Sequence, residues 1–396
     1  MTLTLLLDLD DTLLNTNLQA FIPAYFQSLS KELTPHAAPD IMLRALLKGT
    51  NSMNESDDFS HTLQDVFEAE FYPHLNISRS EIEPAIEKFY DNVFPNLGSL
   101  TTQVPDAKLF VDWAIAKGYR VAVATDPLFP RMATYHRLRW AGFDPRQFEL
   151  ISSFENFHFT KTHPAYYAEV LGRMGWPEGP ILMVGNDLER DIAPSKKLGL
   201  AAFHVDVEST AGLGKEAQPR GTLSDLIRWL DSIDHASLLP SFKTMDSILA
   251  LLSATPAALN GLLRRLGVDV WHRKTAHDDW SLTELICHLR DTEREIHHMQ
   301  IGLFNNGNEP FIPRPDTSVW ASQRDYLHED GAQALKEFND ARRDTMKMLK
   351  NIPVEMWGRK ARHAIFGPTN FREVISFFAD HDRMHIQQAW STLRKM

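Results

Sequence analysis

The chain has 396 residues, 43% hydrophobic and 23% charged, with a net charge of −11 and one cysteine. Such a length predicts two or three domains of about 100–200 residues each, and the lone Cys287 excludes an intramolecular disulfide and fits a reducing compartment. The acidic excess lies within residues 1–239, while 240–396 are near neutral; neither half offers the basic face of a nucleic-acid binder. No apolar stretch approaches the ~20 residues of a membrane span and no basic leader precedes Asp8, so a cytoplasmic location without a membrane partner is the expectation.

Met1 to Leu9 is an apolar run that reads as a buried strand. It ends in Asp8-Leu9-Asp10-Asp11-Thr12, and carboxylates crowded there are costly unless something cationic sits among them. The carboxyl end of a strand in an open α/β sheet is where ligands bind. A turn with a helix N-cap is the competing reading of the same residues. Alternate strand residues face opposite ways, so the chain must bend after Leu9 if Asp8 and Asp10 are to reach one substrate.

Helical spacing follows from about Thr16 to Leu97. Strands then alternate with helices: helix 105–117 closed by Gly118, strand 119–124, helix 130–141 closed by Gly142, strand 149–152, helix 164–174, strand 181–184, helix 191–198 and strand 201–205. This alternation predicts a parallel sheet with helices on both faces. A loop over 208–220 and a last helix over 223–233 complete the first domain, residues 1–236, with a helical insert over about 16–98. Residues 237–241 read as a linker.

Residues 242–396 show no strand signal. Four long helical segments at about 242–266, 281–305, 321–350 and 370–394 predict a four-helix bundle. Ser281 with Glu284, and Asn370 with Glu373, have the spacing of capping boxes.

Three further features sit at predicted strand ends: Thr125-Asp126, Lys161, and Gly185-Asn186-Asp187 with Asp191. With Asp8-Leu9-Asp10, this ordered set resembles the haloacid dehalogenase (HAD) superfamily of hydrolases, over about residues 1–235. The resemblance implies a Rossmann-like core with an α-helical cap and a phosphatase using Mg²⁺. In that scheme Asp8 is the nucleophile that forms an aspartyl-phosphate, and Asp10 the acid and base. Thr125 donates to a phosphoryl oxygen and Lys161 balances charge. Asp187 and Asp191 complete a Mg²⁺ site with Asp8 and the Asp10 carbonyl. The acidic motif departs from the family's Gly-Asp, because Asn186 intervenes; Asn186 could take the first position, and the spacing to Asp191 favours Asp187. Family members that cleave halides lack an acid at the position of Asp10, so its presence argues for a phosphatase. The implied substrate is a small phosphorylated metabolite.

In the second half, His381 and His385 are one turn apart on an apolar helix face, and His288 lies on another predicted helix. That is the spacing of a three-His metal site with an open position, although satisfied core histidines are an equal reading in a segment that also holds His272, His277, His297, His298, His328 and His363. Trp280 to Leu289 and His381-Asp-Arg-Met-His385-Ile-Gln-Gln resemble the DinB-like four-helix bundles. That resemblance implies a divalent transition metal (Zn²⁺, Ni²⁺ or Fe²⁺) on His288, His381 and His385, and a low-molecular-weight thiol as partner. Cys287, about 100° around the helix from His288, is not expected to be the nucleophile. Glu284, Asp291 and Glu295 are either supporting partners of the histidines or solvated charges. A non-catalytic module for dimerisation or substrate delivery is the other reading, suggested by Trp271, Trp320 and Trp357 as surface aromatics.

Overall fold

The computed structural model describes residues 1–206, 218–276, 279–305 and 309–396. Contacts divide it into two compact units, Met1–Tyr167 with Pro177–Ser241, and Ala168–Trp176 with Phe242–Met396.

The first unit opens with β1 (Thr4–Leu7), whose residues are all buried. A short β2 (Leu14–Thr16) leads into the helices α1 (Leu18–Leu33), α2 (Pro39–Glu55), α3 (Leu63–Leu75) and α4 (Arg79–Lys88). A returning β3 (Thr101–Gln103) pairs antiparallel with β2, so a two-stranded stem carries the helical insert. These short stem strands escaped the sequence reading because three residues show no periodicity. The insert has its own aromatic core, with Phe21, Phe71, Phe89 and Phe94 all buried.

The chain continues through α5 (Ala107–Ala116), β4 (Arg120–Val123), α6 (Arg131–Trp140), β5 (Leu150–Ile151), α7 (Pro164–Arg173), β6 (Ile181–Gly185), α8 (Ala193–Leu198), β7 (Ala201–Val205), β8 (Arg220–Gly221) and α9 (Leu223–Ser232). The sheet order is β5-β4-β1-β6-β7-β8, and every pairing is parallel. This is the Rossmann-like α/β architecture anticipated from the alternation of elements. Of the anticipated loop at 208–220, residues 208–217 lie outside the described residues.

Register does the positioning. Leu7 pairs with Val123 on one side and Val184 on the other. Asp8, Thr125 and the Gly185–Asp187 segment therefore emerge at one edge of the sheet.

The second unit contains α10 (Met245–Leu263), a short α11 (Val268–Trp271), α12 (Leu282–Asp291), α13 (His298–Leu303), β9 (Phe311–Ile312), a short α14 (Trp320–Gln323), α15 (Gly331–Lys350), β10 (Lys360–His363), β11 (Gly367–Asn370) and α16 (Phe371–Lys395). The four long helical regions form the bundle. The expectation of no strand fails here: β9, β10 and β11 form a three-stranded sheet. Gly367-Pro368 reads as a breaker in sequence, yet Gly367, at φ +73°, turns the chain into an edge strand paired with β10. A second correction concerns α10, which is long and apolar enough to match a membrane span by length and composition; most of it is buried inside the unit, as a core helix would be. Trp271 and Trp357 are buried, not surface residues, and Trp320 is half-buried.

The Ser281 box is complete, each partner bonding the other's backbone. At the other site Asn370 accepts from the Glu373 N–H, but the Glu373 carboxylate takes the Thr369 hydroxyl instead.

Candidate functional site

Beyond β1 the backbone turns sharply. The amides of Leu13 and Leu14 both donate to the Leu9 carbonyl, and Asp11 adopts a left-handed φ of 55°. Asp11 is held there by accepting the Thr16 N–H at 2.8 Å. This is the bend that two neighbouring carboxylates at a strand end require.

Asp8 is almost fully buried and its carboxylate accepts from Lys161 Nζ at 2.5 Å. Lys161, itself buried, also pairs with Asp191. Burial alone would lower the Lys161 pKa; Asp191 and Asp8 override it and hold the ammonium well above its ordinary value. One ammonium cannot neutralise two buried carboxylates. Burial accordingly pushes Asp191 up to about 7, against the pull of Lys161 and with the repulsion of Asp8.

Gly185 makes this packing feasible, because a Cβ there would collide with the Asp191 carboxylate. The neighbouring Asp187 is engaged locally. Its Oδ1 accepts from the amides of Glu189 and Arg190, capping the turn 188–192, and its own N–H donates to Asp191 Oδ2 at 3.0 Å. Asn186 Oδ1 accepts from the Thr12 hydroxyl at 3.2 Å. Asn186 and Asp187 are thus both tied into the loop that presents Asp191.

Thr125 is buried, and its carbonyl accepts from Ser152 Oγ and the Tyr166 hydroxyl, both at 2.7 Å. Asp126 accepts the Lys161 N–H at 3.3 Å and pairs with Arg190, so its side chain ties three motif loops together. Burial raises its pKa despite Arg190 and Lys161.

Sequence reasoning missed Arg137. This α6 residue is buried and forms an ion pair with Asp10. Burial pushes its pKa down to about 10, with Asp8 acting the other way, and it stays cationic at neutral pH. The only sequence signal was a charged residue at a core position of an amphipathic helix.

Three acids, Asp8, Asp10 and Asp191, therefore face two cations, Lys161 and Arg137, and Asp10 Oδ1 is buried with no hydrogen-bond partner. The excess of hard carboxylate oxygens fits a divalent cation such as Mg²⁺.

In the second unit, His288 on α12 and His381 and His385 on α16 bring one ring nitrogen each to within 4.8 Å of one another. His381 Nε2 lies 3.1 Å from Nε2 of both His288 and His385. Burial, then His385 and His297, push His288 down to about 3; burial and the neighbouring imidazoles hold His381 well below its usual range. Neutral imidazoles aimed at one point suit a transition metal. The Nδ1 atoms of His288 and His381 are buried without hydrogen-bond partners, while His385 Nδ1 meets Gln388 Oε1 at 3.0 Å. Trp280 stacks on His385 and meets His288 edge-on.

None of the three acids considered as supports bonds these histidines. Glu284 takes Lys274 and the Ser281 amide, Asp291 takes Arg290, Arg324 and Tyr326, and Glu295 takes Arg324. The inward acid is Glu293, fully buried. It accepts from Nε and Nη2 of Arg342, each at 2.8 Å, and pairs with His297 Nδ1 at 2.7 Å. A widened π-type turn at Thr292–His297 rotates Glu293 inward and Glu295 outward, a shift that uninterrupted 3.6-residue spacing does not anticipate. Cys287 is buried and burial pushes its thiol up to about 12.

No curated protein matches the chain. Among solved structures, a HAD phosphatase from Thermococcus onnurineus is 20% identical, covering 58% of this chain and 98% of that one, with a TM-score of 0.38. A 2-haloacid dehalogenase from Pseudomonas syringae pv. Tomato DC3000 is 19% identical over 58% and 99%, with a TM-score of 0.42. YfiT from Bacillus subtilis, a four-helix bundle, is 16% identical over 39% and 89%, with a TM-score of 0.36. A DinB superfamily model matches residues 251–389, and a haloacid dehalogenase-like hydrolase model matches residues 2–199. With half of its length matched by that second model, the chain belongs to the haloacid dehalogenase-like hydrolases and carries a DinB-superfamily region in its second half.

Proposed function

We propose that the first unit is a Mg²⁺-dependent phosphomonoester hydrolase acting on a small phosphorylated metabolite. The observation that carries this reading is Lys161 Nζ shared between Asp8 and Asp191 at the carboxyl edge of the sheet. Phosphoryl transfer needs an in-line nucleophile and neutralisation of the charge on the equatorial oxygens. Asp8 attacks phosphorus and the ester bond breaks. Asp10 gives its proton to the departing oxygen, leaving an aspartyl-phosphate on Asp8. Asp10 then takes a proton from water, whose oxygen attacks phosphorus and frees the Asp8 carboxylate and inorganic phosphate. Lys161 and the Thr125 hydroxyl hold phosphoryl oxygens during both steps. Mg²⁺, held by Asp8, the Asp10 carbonyl and Asp191 with Asp187 beside them, would supply further charge neutralisation. The test is hydrolysis of phosphomonoesters by the full chain with and without Mg²⁺. Activity that EDTA abolishes supports the reading, and no turnover on any ester overturns it.

The second unit is read as a divalent transition-metal centre on His288, His381 and His385, on the strength of the nitrogen cluster. A metal-dependent transfer to a low-molecular-weight thiol is the activity that fits it best, and the buried, high-pKa Cys287 leaves that thiol to be supplied from outside. The dimerisation alternative loses its aromatic support with Trp271 and Trp357 buried. Metal analysis of His381→Ala tests the centre: about one equivalent lost per chain is the expected result, and unchanged stoichiometry overturns it.

A further inference from the structure

The helical insert and the segment 128–135 line a cavity of about 700 Å³ in the first unit that opens to solvent past Leu47, Arg79 and Glu83. A volume of that order holds a substrate body the size of a drug-like ligand. Its wall is aromatic, with Phe26, Phe67, Phe71, Phe129, Tyr135 and Phe154 among the lining residues. Part of the polar wall is already paired, while Glu87, Asp91 and Arg131 also face the space. The hydroxyls of Tyr25 and Tyr90 bond at 2.8 Å, Arg79 is held by Glu68 and Glu83, and Gln64 donates to Glu68. Against the aromatic part of this wall a ligand rich in hydroxyls would leave polar groups unpaired, at a cost for each.

The cavity borders the catalytic edge. Its floor is the segment Leu128–Arg131, which runs directly on from Thr125-Asp126, with the Leu128 amide bonded to the Asp126 carbonyl at 2.8 Å. Phe129 joins the two regions. Its ring lines the cavity, and the Arg137 guanidinium that pairs with Asp10 lies 4.9 Å from the ring centre. Asp8, Asp10, Thr125 and Lys161 do not themselves line the cavity, so Phe129 and Arg137 are the link between it and the acid pair.

We propose that the substrate's leaving group is an apolar body, alkyl or aryl, seated in this cavity, so that the enzyme prefers amphiphilic phosphomonoesters to sugar or glycerol phosphates. The proposal rests on the phosphatase reading of the same site and adds the chemistry of what is cleaved.

The test is kcat/KM of the full chain with Mg²⁺ on methyl, butyl and hexyl phosphate, beside glycerol 3-phosphate and glucose 6-phosphate. The alkyl esters have leaving groups of similar intrinsic reactivity, so a trend among them reports binding. Each buried methylene is worth up to about fourfold, and a rise of at least tenfold from methyl to hexyl phosphate is the expected result, with hexyl phosphate exceeding both polyol esters. A flat alkyl series, or preference for the polyol esters, overturns the proposal and leaves the phosphatase reading standing. No turnover on any ester overturns both. Thr50→Phe, which narrows the cavity from its lining, is expected to cut the hexyl-to-methyl ratio at least fivefold. An unchanged ratio in a folded variant, checked by circular dichroism, counts against the cavity as the seat.

Discussion

Lys161 and Asp8 meet at 2.5 Å, both almost fully buried, at the edge where β1, β4 and β6 end in register. Removing the cation from between Asp8 and Asp191 strands two buried acids. Lys161→Met is therefore predicted to destabilise the first unit by about 3 kcal/mol, since breaking a buried pair leaves an uncompensated charge. It should also cut hydrolysis by about a hundredfold or more, by loss of electrostatic stabilisation. Denaturant unfolding and steady-state kinetics on the same variant check both numbers.

Arg137 and Asp10 form the pair that sequence spacing did not reveal. A cation beside a carboxylate favours its ionised form, so Arg137→Leu should make Asp10 easier to protonate. For formation of the phospho-intermediate, which needs Asp10 protonated, the basic limb of the pH profile should move up. For its breakdown, which needs Asp10 ionised, the acid limb should move up as well. Pre-steady-state kinetics across pH separates the two. A profile with unmoved limbs would show that Arg137 acts only as packing.

The histidine centre has a pH signature of its own. His288 is pushed by burial from its ordinary value near 6.5 down to about 3. The folded state then refuses a proton that the unfolded chain accepts. Stability contributed by the neutral form is fully present above about pH 6.5 and is lost as pH falls toward 3, at about 1.4 kcal/mol per pH unit for this residue alone. Thermal unfolding of the chain treated with chelator, followed from pH 7.5 to 5, should show the transition of the second unit falling. Replacing His288 by Phe should flatten that slope, and an unchanged slope contradicts the assignment.

Much of the architecture was legible because it depends on strong local signals. Buried strands of Leu and Val alternating with helices closed by Gly118 and Gly142 specify a parallel sheet, and strand ends collect Asp8, Thr125 and Asp191. What was hidden depends on long-range geometry. Arg137 is 127 residues from Asp10 in sequence, and only its place on the buried face of α6 separates it from the exposed Arg131 on the same helix. Glu293 was hidden by the widened turn at 292–297, which breaks the helical period that spacing arguments assume. The β10–β11 hairpin was hidden because Gly367-Pro368 signals a turn and a strand edge equally well.

The phosphatase mechanism requires Asp8 to become covalently phosphorylated during turnover. The most direct test is borohydride trapping of the enzyme during turnover of a phosphomonoester, followed by peptide mass spectrometry. Reduction of an aspartyl-phosphate yields homoserine, so the account predicts homoserine at position 8 in the wild-type chain. It also predicts neither homoserine nor turnover in Asp8→Asn. Full activity in Asp8→Asn, or turnover with position 8 unreduced and another acid trapped, would contradict it.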